Sequence, residues 1–208
     1  MAGGKETPRQ KMIGLMYLVL TALLALQVSS TVLDKFVFIN QSLERTVSEG
    51  EVKNSETIGR VQKVVSDAGN RKEDVAVLNT AQTVRAETTK VLQNLNNLKK
   101  EIIDLTGGEN IDDGTYVGVK DEEILANLMV NQKRGAQLKD ELNAYAQFLN
   151  KTTGIPYQDI AMDAKDMVQF KDNPDQKRKS FSELTFANTP MIAGLASISQ
   201  LQTEIVSR

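Results

Sequence analysis

The sequence contains no cysteine, no histidine and no tryptophan. A chain without cysteine can form neither disulfides nor thiolate metal sites, and one without histidine lacks the usual general base near neutral pH and the commonest metal ligand. The HExxH and GxGxxG motifs, the P-loop and the nucleophile elbow are also missing. We therefore expect a protein that is not an enzyme and that holds no metal or cofactor.

Aromatic residues make up only 5% of the 208 residues, and the net charge is −2. A core must therefore be built from leucine, isoleucine, valine and alanine. The near-neutral charge balance gives no reason to expect nucleic acid as a partner.

An apolar run without any charged residue extends from Met12 to Leu33. A helix of about 20 apolar residues spans the hydrocarbon layer of a bilayer, and a single segment can pair all its main-chain groups there only as a helix. The sequence predicts a tail over residues 1–11, a transmembrane helix over 12–33 and one domain over 34–208, whose length of about 175 residues suits a single core.

This run has two other interpretations. A soluble core helix can be equally apolar, although such helices rarely extend this far without a charge. A cleaved signal peptide fits the basic residues Lys5, Arg9 and Lys11 and the small residues at 28–30. The run nevertheless exceeds the usual ~7–15 residues of a signal core, and the helical pattern continues past that site.

The flanking charges predict the orientation of the span. The tail carries three basic residues and one acid, and Asp34 is the first charge on the other side. Because positive charge close to a span stays cytoplasmic, we expect a single-pass inner-membrane protein with a cytoplasmic N-terminus. Its bulk would lie in the periplasm.

The span is expected to continue outward as a rigid helix, since neither proline nor glycine occurs from Leu15 to Glu49. At a rise of 1.5 Å per residue, about 20 Å of this helix would protrude from the membrane. The first expected break is at Ser48–Gly50. A second helical piece should then end near Gly69 and Asn70.

Three further helices complete the predicted fold. The first spans 71–105, ends at Thr106–Gly108 and has a seam of apolar positions at steps of three and four; the seam comprises Val84, Thr88, Val91, Leu95, Leu98, Ile102 and Leu105. The second starts with a cap at Asp121 and runs past Leu149. The third is capped by Thr189, has Pro190 at its first position and is still helical at Arg208.

We therefore expect an all-α protein in which the transmembrane helix continues into a periplasmic up-and-down bundle. The loop around residues 110–118 has room for a short extended segment. Residues 157–186 show no helical period, and a loop of this length in a compact domain usually covers or binds something.

Small and hydroxyl residues line one stripe of the predicted span. Gly14, Tyr17, Thr21 and Ala25 follow one another at helical spacing. Such residues let membrane helices approach closely and form hydrogen bonds across their interface, although they are also common in any span. Gly14, Thr21 and Ala25 are the candidate helix-packing face.

No aspartate or glutamate lies between Arg9 and Leu33. A machine that moves protons through the membrane needs a group that titrates there, and Tyr17, with a reference pKa near 10, is a poor carrier. If the chain takes part in proton movement, a partner must supply the acid.

The run from Lys5 to Gly14, continued by Met16 to Leu26, resembles the opening of the GldM/PorM family, which is the inner-membrane motor subunit of gliding motility and type IX secretion. The resemblance is specific over the first ~45 residues. It implies an all-helical first periplasmic domain, followed in the family by further domains that reach toward the outer membrane.

The resemblance also implies partners and site residues. In the family, two copies pair inside a ring of a second membrane protein, GldL, whose helices carry an intramembrane glutamate. Arg9 and Tyr17 match the positions proposed to face that acid, although a simple orientation charge remains an equal interpretation of Arg9.

The function expected from these observations is that of the central subunit of a motor driven by the proton motive force. Such a motor would transmit motion through the periplasm to power type IX secretion and gliding. The alternatives are a periplasmic helical-bundle sensor and a passive scaffold across the envelope.

Overall fold

The computed structural model describes residues 7–26, 30–110, 115–170 and 172–208, and it describes only the main chain of residues 22–26 and 30. The described part is helical, as predicted. Its helices are α1 (Pro8–Leu26), α2 (Ser30–Asp67), α3 (Lys72–Leu105), α4 (Glu123–Ala126), a π-helical segment (Asn127–Asn131), α5 (Arg134–Thr153), α6 (Phe181–Phe186) and α7 (Met191–Ser207), with single 3-10 turns at Ala164–Asp166 and Val168–Phe170.

The predicted span over 12–33 covers most of α1 and the first residues of α2. Within the described residues, no helix combines the length and the apolar character needed to cross a bilayer. Residues 27–29 lie outside the described ranges, so the predicted continuity of the helix there is not tested.

The predicted break at Ser48–Gly50 is wrong, because α2 continues through Gly50 to Asp67. A glycine inside a helix costs only about 1 kcal/mol relative to alanine. Here Gly50 faces α7 so closely that a Cβ would lie 2.2 Å from Val206 Cγ1. The absent side chain lets α7 pack against α2 at this point.

The end of α2 is where the sequence predicts it. Gly69 and Asn70 adopt positive φ angles of 79° and 54°. The Gly69 amide donates to Ser66 O and the Asn70 amide to Val65 O, both at 3.0 Å, which is the Schellman arrangement that terminates helices. Gly107 and Gly108 terminate α3 in the same way: their main-chain amides donate hydrogen bonds to Asp104 O and Ile103 O, respectively.

The seam of α3 faces the core as predicted. The buried residues of this helix include Thr88, Val91, Leu95, Leu98 and Ile102. Leu105, in the last turn, is 51% exposed. After α3, Glu109 and Tyr116 form an isolated antiparallel bridge, which agrees with the short extended segment expected there; residues 111–114 lie outside the described ranges.

The single helix predicted from Asp121 past Leu149 is interrupted. Asp121 caps its start as expected, since its Oδ1 accepts from the Ile124 amide at 2.7 Å. The helix then changes from α-helical to π-helical over Asn127–Asn131. The chain turns at Lys133, whose φ is 61°. Gly135 follows, and α5 starts so close to Ser182 that a Cβ at Gly135 would lie 2.6 Å from the serine Oγ.

The long connection 154–190 runs back along α5. Tyr157 O accepts from Asn150 Nδ2 at 3.1 Å, and further along the connection Asp163 forms an ion pair with Lys139 at 2.7 Å. The contact points on α5 thus move toward its start as the chain advances. The helix after the connection therefore begins at the same end of the bundle as α5.

The predicted up-and-down topology is consequently wrong for α7, the last helix. This helix runs parallel to α5 and to α2. Ser199 Oγ donates to Asn40 Oδ1 at 2.7 Å, and farther along both helices Asn54 Nδ2 donates to Val206 O at 2.9 Å. An up-and-down bundle would require these helices to be antiparallel. The crossover 154–190 makes the parallel pairing possible.

The last helix is also more central than its pattern suggests. The apolar face that the sequence predicts for this helix comprises Met191, Leu195, Ile198, Leu201 and Ile205, and all of these except the partly buried Leu201 are buried. Residues on its other sides are buried as well; the buried residues of α7 are Met191, Ile192, Ala193, Gly194, Leu195, Ala196, Ile198, Ser199, Gln202, Ile205 and Val206. The predicted cap is wrong as well. Pro190 itself precedes the first helical residue, and Thr189 Oγ1 instead donates to Ala187 O at 3.1 Å.

Candidate functional site

Helix α1 presents the candidate coupling residues to its surroundings. Every described side chain from Thr7 to Thr21, Arg9 included, is exposed, and Tyr17 is 69% exposed. Apart from its chain neighbours and the backbone of its own helix, no heavy atom of the described residues lies within 4 Å of the position that a Cβ would take at Gly14. The surface of α1 is therefore open to a partner helix along its candidate packing face.

The hydroxyl of Thr21 is already used inside the helix. It donates to the main-chain oxygens of Tyr17 and Leu18, the latter at 3.1 Å. The threonine oxygen can still accept a hydrogen bond from another helix. Ala25 lies in the last turn of α1, where only the main chain is described, so its packing role stays a prediction.

Helix α2 enters the bundle through a seam with seven-residue spacing. Leu33, Asn40 and Val47 are buried, whereas Ile39, the apolar neighbour of Asn40 in the chain, is 44% exposed. A polar residue thus occupies the middle of an apolar seam. In packed helices such a residue fixes which partner position it faces.

Asn40 belongs to a buried polar network that joins three helices. Its amide donates to Glu44 Oε1 at 3.1 Å. The Lys99 ammonium of α3 donates to Glu44 Oε1 and, at 2.8 Å, to Ser199 Oγ of α7. The serine hydroxyl in turn donates to Asn40 Oδ1. We call Asn40, Glu44, Lys99 and Ser199 the polar joint.

Burial makes the polar joint specific. Asn40 and Ser199 are 0% exposed and Lys99 is 7% exposed. A buried charge is tolerated only when it is paired and hydrogen-bonded, and any shift of α2 along α7 would break the contacts that satisfy this lysine. The joint therefore fixes α2 in one register against α3 and α7.

Two more polar pairs extend this arrangement along α3. Gln202 Nε2 donates to Asn96 Oδ1 at 2.7 Å, one turn of α7 beyond the joint. Thr88 and Tyr145 share a hydrogen bond of 2.8 Å between α3 and α5. Burial raises the pKa of Tyr145, and the hydrogen bond that it shares with Thr88 opposes that rise; the phenol therefore stays neutral at ordinary pH.

The joint opens at one side into a cavity of about 630 Å³, lined in part by Glu44, Lys99, Glu109 and Tyr116. The pKa of Tyr116 is raised by burial and by the nearby carboxylates of Glu44 and Glu109. A neutral phenol thus lies beside the charged pair.

Most of the polar joint is not predictable from the sequence. Asn40 was recoverable as a polar residue at a seam position, and Glu44 lies one helical turn after it. Lys99 lies four positions after Leu95 and three before Ile102, beside the apolar seam, but a lysine there can also extend its ammonium into solvent, so the sequence does not reveal that this charge is buried. Ser199 is not among the positions of the apolar face that the sequence predicts for α7.

The comparisons with known proteins agree with the resemblance seen in the N-terminal residues. The model of the family described as the GldM N-terminal domain matches residues 31–207. The chain belongs to the GldM family. No match to it is found among curated proteins.

Membership in the GldM family indicates a component of gliding motility and type IX secretion that is associated with the cell envelope. The match covers α2 to α7 and hence the whole polar joint, whereas the residues that carried the resemblance lie mostly before it. Two separate parts of the chain therefore point to one family.

Proposed function

We propose that the chain is the central, non-enzymatic subunit of an inner-membrane motor driven by the proton motive force, and that it powers type IX secretion and gliding. Residues 12–33 would cross the inner membrane with the N-terminus in the cytoplasm, and residues 34–208 would lie in the periplasm. Two copies would pair inside a ring of GldL-like subunits.

The observation that carries this proposal is the length and attachment of α2. A helix from Ser30 to Asp67 measures about 57 Å at 1.5 Å per residue. The polar joint attaches it to the bundle at Asn40 and Glu44, only about 15 to 20 Å from its first residue. A displacement applied at the start of α2 would therefore move the bundle as a body and would not be absorbed by a flexible linker.

The energy source would act on α1. Arg9 and Tyr17 are separated by eight positions, or about 12 Å along a helix. Moving one charge down the membrane potential yields about 2.3 kcal/mol per 100 mV. A ring glutamate that is alternately charged and neutral would alternately attract and release Arg9, and this change would drive each step.

The packing face of α1 would serve the pairing of two copies. Gly14 leaves its side of the helix open, and Thr21 retains an acceptor oxygen, which suits the close approach of a second membrane helix. Ala25 continues the same stripe. The outward part of each helix would then remain available to the ring.

Replacing Arg9 by alanine or Tyr17 by phenylalanine tests the coupling. We expect both variants to abolish secretion and gliding while the subunit still copurifies with its ring protein, because each change removes one polar group and leaves the apolar residues of the span unchanged. Lys11→Ala is the matched control for loss of one basic residue in the tail. Normal secretion by both variants would refute the coupling role.

Collapse of the proton gradient separates a motor from a passive scaffold. Secretion and cell movement should stop at once when a protonophore is added, with the complex still intact on purification. Continued transport without the gradient would favour the scaffold.

A further inference from the structure

A hollow with a basic lining lies in the crossover 154–190, and we call it the basic hollow. Its volume is about 570 Å³. It is lined by Asp163, Lys165, Lys177, Arg178, Lys179 and Ser180. Asp163 is paired with Lys139 at 2.7 Å, whereas none of the four cations of the lining forms an ion pair within the described chain. The hollow therefore carries uncompensated positive charge.

Main-chain hydrogen bonds hold the cations of the basic hollow together. The Ala164 amide donates to Lys179 O at 3.1 Å, which joins the two sides of the hollow. The Lys177 amide donates to Asn173 O at 2.9 Å, and the Lys179 amide donates to Gln176 O at 2.8 Å. Because like charges repel one another, an anion between these side chains would relieve a repulsion that the fold imposes.

The contacts between α2 and α7 show which end of the bundle is nearest the predicted span. Helix α7 is parallel to α2 and begins at Met191, about 12 Å before Ser199. Asn40, the partner of Ser199, follows Leu33 by about 10 Å along α2. The start of α7 thus lies at about the same height as Leu33, where the predicted span ends.

The basic hollow lies beside the first turns of α5, which begins at the same end of the bundle as α7. Asp163 of its lining contacts Lys139, about 8 Å along α5 from Arg134, the first residue of that helix. The headgroup layer of a bilayer extends about 5–7 Å beyond its hydrocarbon layer. Long basic side chains at this height can extend their charged ends into that layer.

Exposed apolar side chains accompany the cations at this end. Val168, in the 3-10 turn that follows the turn of Lys165, is 75% exposed. Phe38 of α2, about 8 Å beyond Leu33, is 72% exposed. A free phosphate ion would leave these side chains in water, whereas the boundary between headgroups and acyl chains accommodates basic and apolar groups together.

We propose that the basic hollow binds the phosphate of an anionic phospholipid headgroup in the leaflet from which α2 emerges, and that this contact fixes the orientation of the bundle on the bilayer. The inference rests on the proposed function, since it requires that residues 12–33 cross the membrane. Arginine binds a phosphate through two parallel hydrogen bonds, and lysine binds it as a point charge. Each basic residue close to an anionic membrane surface strengthens attachment about fivefold.

Fluorescence quenching in vesicles tests the proposal. The chain contains no cysteine, so Gln169→Cys gives a single attachment point for a fluorophore next to Val168. The labelled full chain is reconstituted in vesicles of phosphatidylcholine, or of phosphatidylcholine and phosphatidylglycerol in equal parts. Both contain a trace of phosphatidylcholine with a nitroxide on its headgroup, which quenches at short range. We expect stronger quenching in the anionic vesicles, and added salt should reduce the difference because it screens exposed charges.

A triple variant with Lys177→Gln, Arg178→Gln and Lys179→Gln removes three of the four cations of the basic hollow. The ratio of membrane-bound to free bundle should fall about a hundredfold. Quenching in the anionic vesicles should then approach that in the neutral vesicles. Circular dichroism melting curves establish that the variant is folded.

The matched control loses the same charge at the other end of the bundle. It carries Lys53→Gln, Lys63→Gln and Lys72→Gln, three exposed positions in the second half of α2 and at the start of α3. Its quenching should equal that of the wild type in both kinds of vesicle, because these lysines lie far from the predicted span.

Several results would overturn the proposal. Equal quenching in the two kinds of vesicle, or unchanged quenching of the folded triple variant at 177–179, would refute the headgroup contact, and an equal loss in the control would refute its location. If inorganic phosphate removed the difference where sodium chloride of the same ionic strength did not, the ligand would be free phosphate. Removal of the difference by an acidic peptide under the same comparison would assign the hollow to a protein segment.

Extraction of the vesicles with alkaline carbonate separates this inference from the proposed function. Release of the chain would refute the predicted span and, with it, the headgroup contact. A chain that stays in the vesicles but shows no difference in quenching would refute the headgroup contact alone.

Discussion

Replacing Lys99 by methionine removes the only charged donor of the polar joint while keeping a side chain of similar length. The lysine side chain is 9% exposed and its partner Glu44 is 38% exposed. Loss of the ammonium would leave Glu44 with the amide of Asn40 and solvent. Ser199 would keep its hydrogen bond to Asn40.

The expected cost is about 2 kcal/mol in the free energy of unfolding. Breaking a fully buried ion pair costs about 3–5 kcal/mol, and a single hydrogen bond to a charged group contributes about 1.5–3 kcal/mol. Because Glu44 can hydrate once the lysine is gone, the lower range applies. For a domain of this size, 2 kcal/mol corresponds to a fall in melting temperature of about 4–8 °C.

Urea and thermal unfolding, followed by far-UV circular dichroism, measure this cost. Lys100→Met is the matched control, since Lys100 is the exposed neighbour of Lys99 on the same helix, and it should change stability by less than about 0.5 kcal/mol. Equal losses for the two variants, or no loss for Lys99→Met, would refute the idea that this lysine holds three helices together.

A triple variant tests whether the joint acts as a unit. Asn40→Leu, Lys99→Met and Ser199→Ala together remove the amide, the ammonium and the hydroxyl that are hydrogen-bonded to one another in the joint. Replacing a buried polar network by apolar groups is often neutral, so the triple variant should lose less than the sum of its single variants by more than about 1 kcal/mol. Strict additivity would show three independent contacts.

Two further predictions concern other parts of the domain. Gly135→Ala should destabilise it by about 1–3 kcal/mol, because the new Cβ would lie 2.7 Å from a main-chain oxygen of the π-helical segment; a change below 0.5 kcal/mol in urea unfolding would contradict this close approach. The hydrogen bond from Lys139 lowers the pKa of Asp163 below its ordinary value of 3.8, so its contribution to stability is complete above that pH and is lost as the pH falls through the folded-state value. Asp163→Asn should therefore be less stable than the wild type at pH 7, with the gap closing below about pH 4; a gap that stays constant down to pH 2 would contradict this assignment.

The elements that the sequence predicted correctly depend on local chemistry. The seam of α3 follows from the spacing of Val91, Leu95, Leu98 and Ile102, and the helix ends follow from residues able to adopt positive φ, such as Gly107. These features need no knowledge of the partner helices. Their physical cause lies within a few residues of each position.

The incorrect predictions share a different cause. Whether Gly50 breaks a helix depends on α7, which contacts it from about 150 positions away in the chain. The direction of α7 depends on the crossover 154–190, whose course is set by the Lys139–Asp163 ion pair and by asparagine side-chain hydrogen bonds with α5 and which shows no helical period in the sequence. The turn at Lys133 is set by tertiary packing around Gly135.

The candidate functional residues also fall into two groups, those that could be proposed from the sequence and those that only the folded structure reveals. Gly14, Thr21 and Ala25 were proposed from their spacing on one helix, and Arg9 and Tyr17 from the resemblance to the GldM/PorM family. The polar joint assembles residues from three helices, and only Asn40 stands out in its own segment. A lysine is recognised as buried only when the helices around it are known.

The parallel pairing of α2 with α7 has a consequence for biogenesis. The Asn54 side chain and the Val206 carbonyl that it contacts are 152 residues apart, and contacts this distant slow folding because a large loop must close before they form. At translation rates of about 5–20 residues per second, α2 must wait many seconds for the helix that covers its buried face. Helix α2 is thus synthesised long before α7 can pack against it. A chaperone that shields an unpaired amphipathic helix would be needed most during that interval.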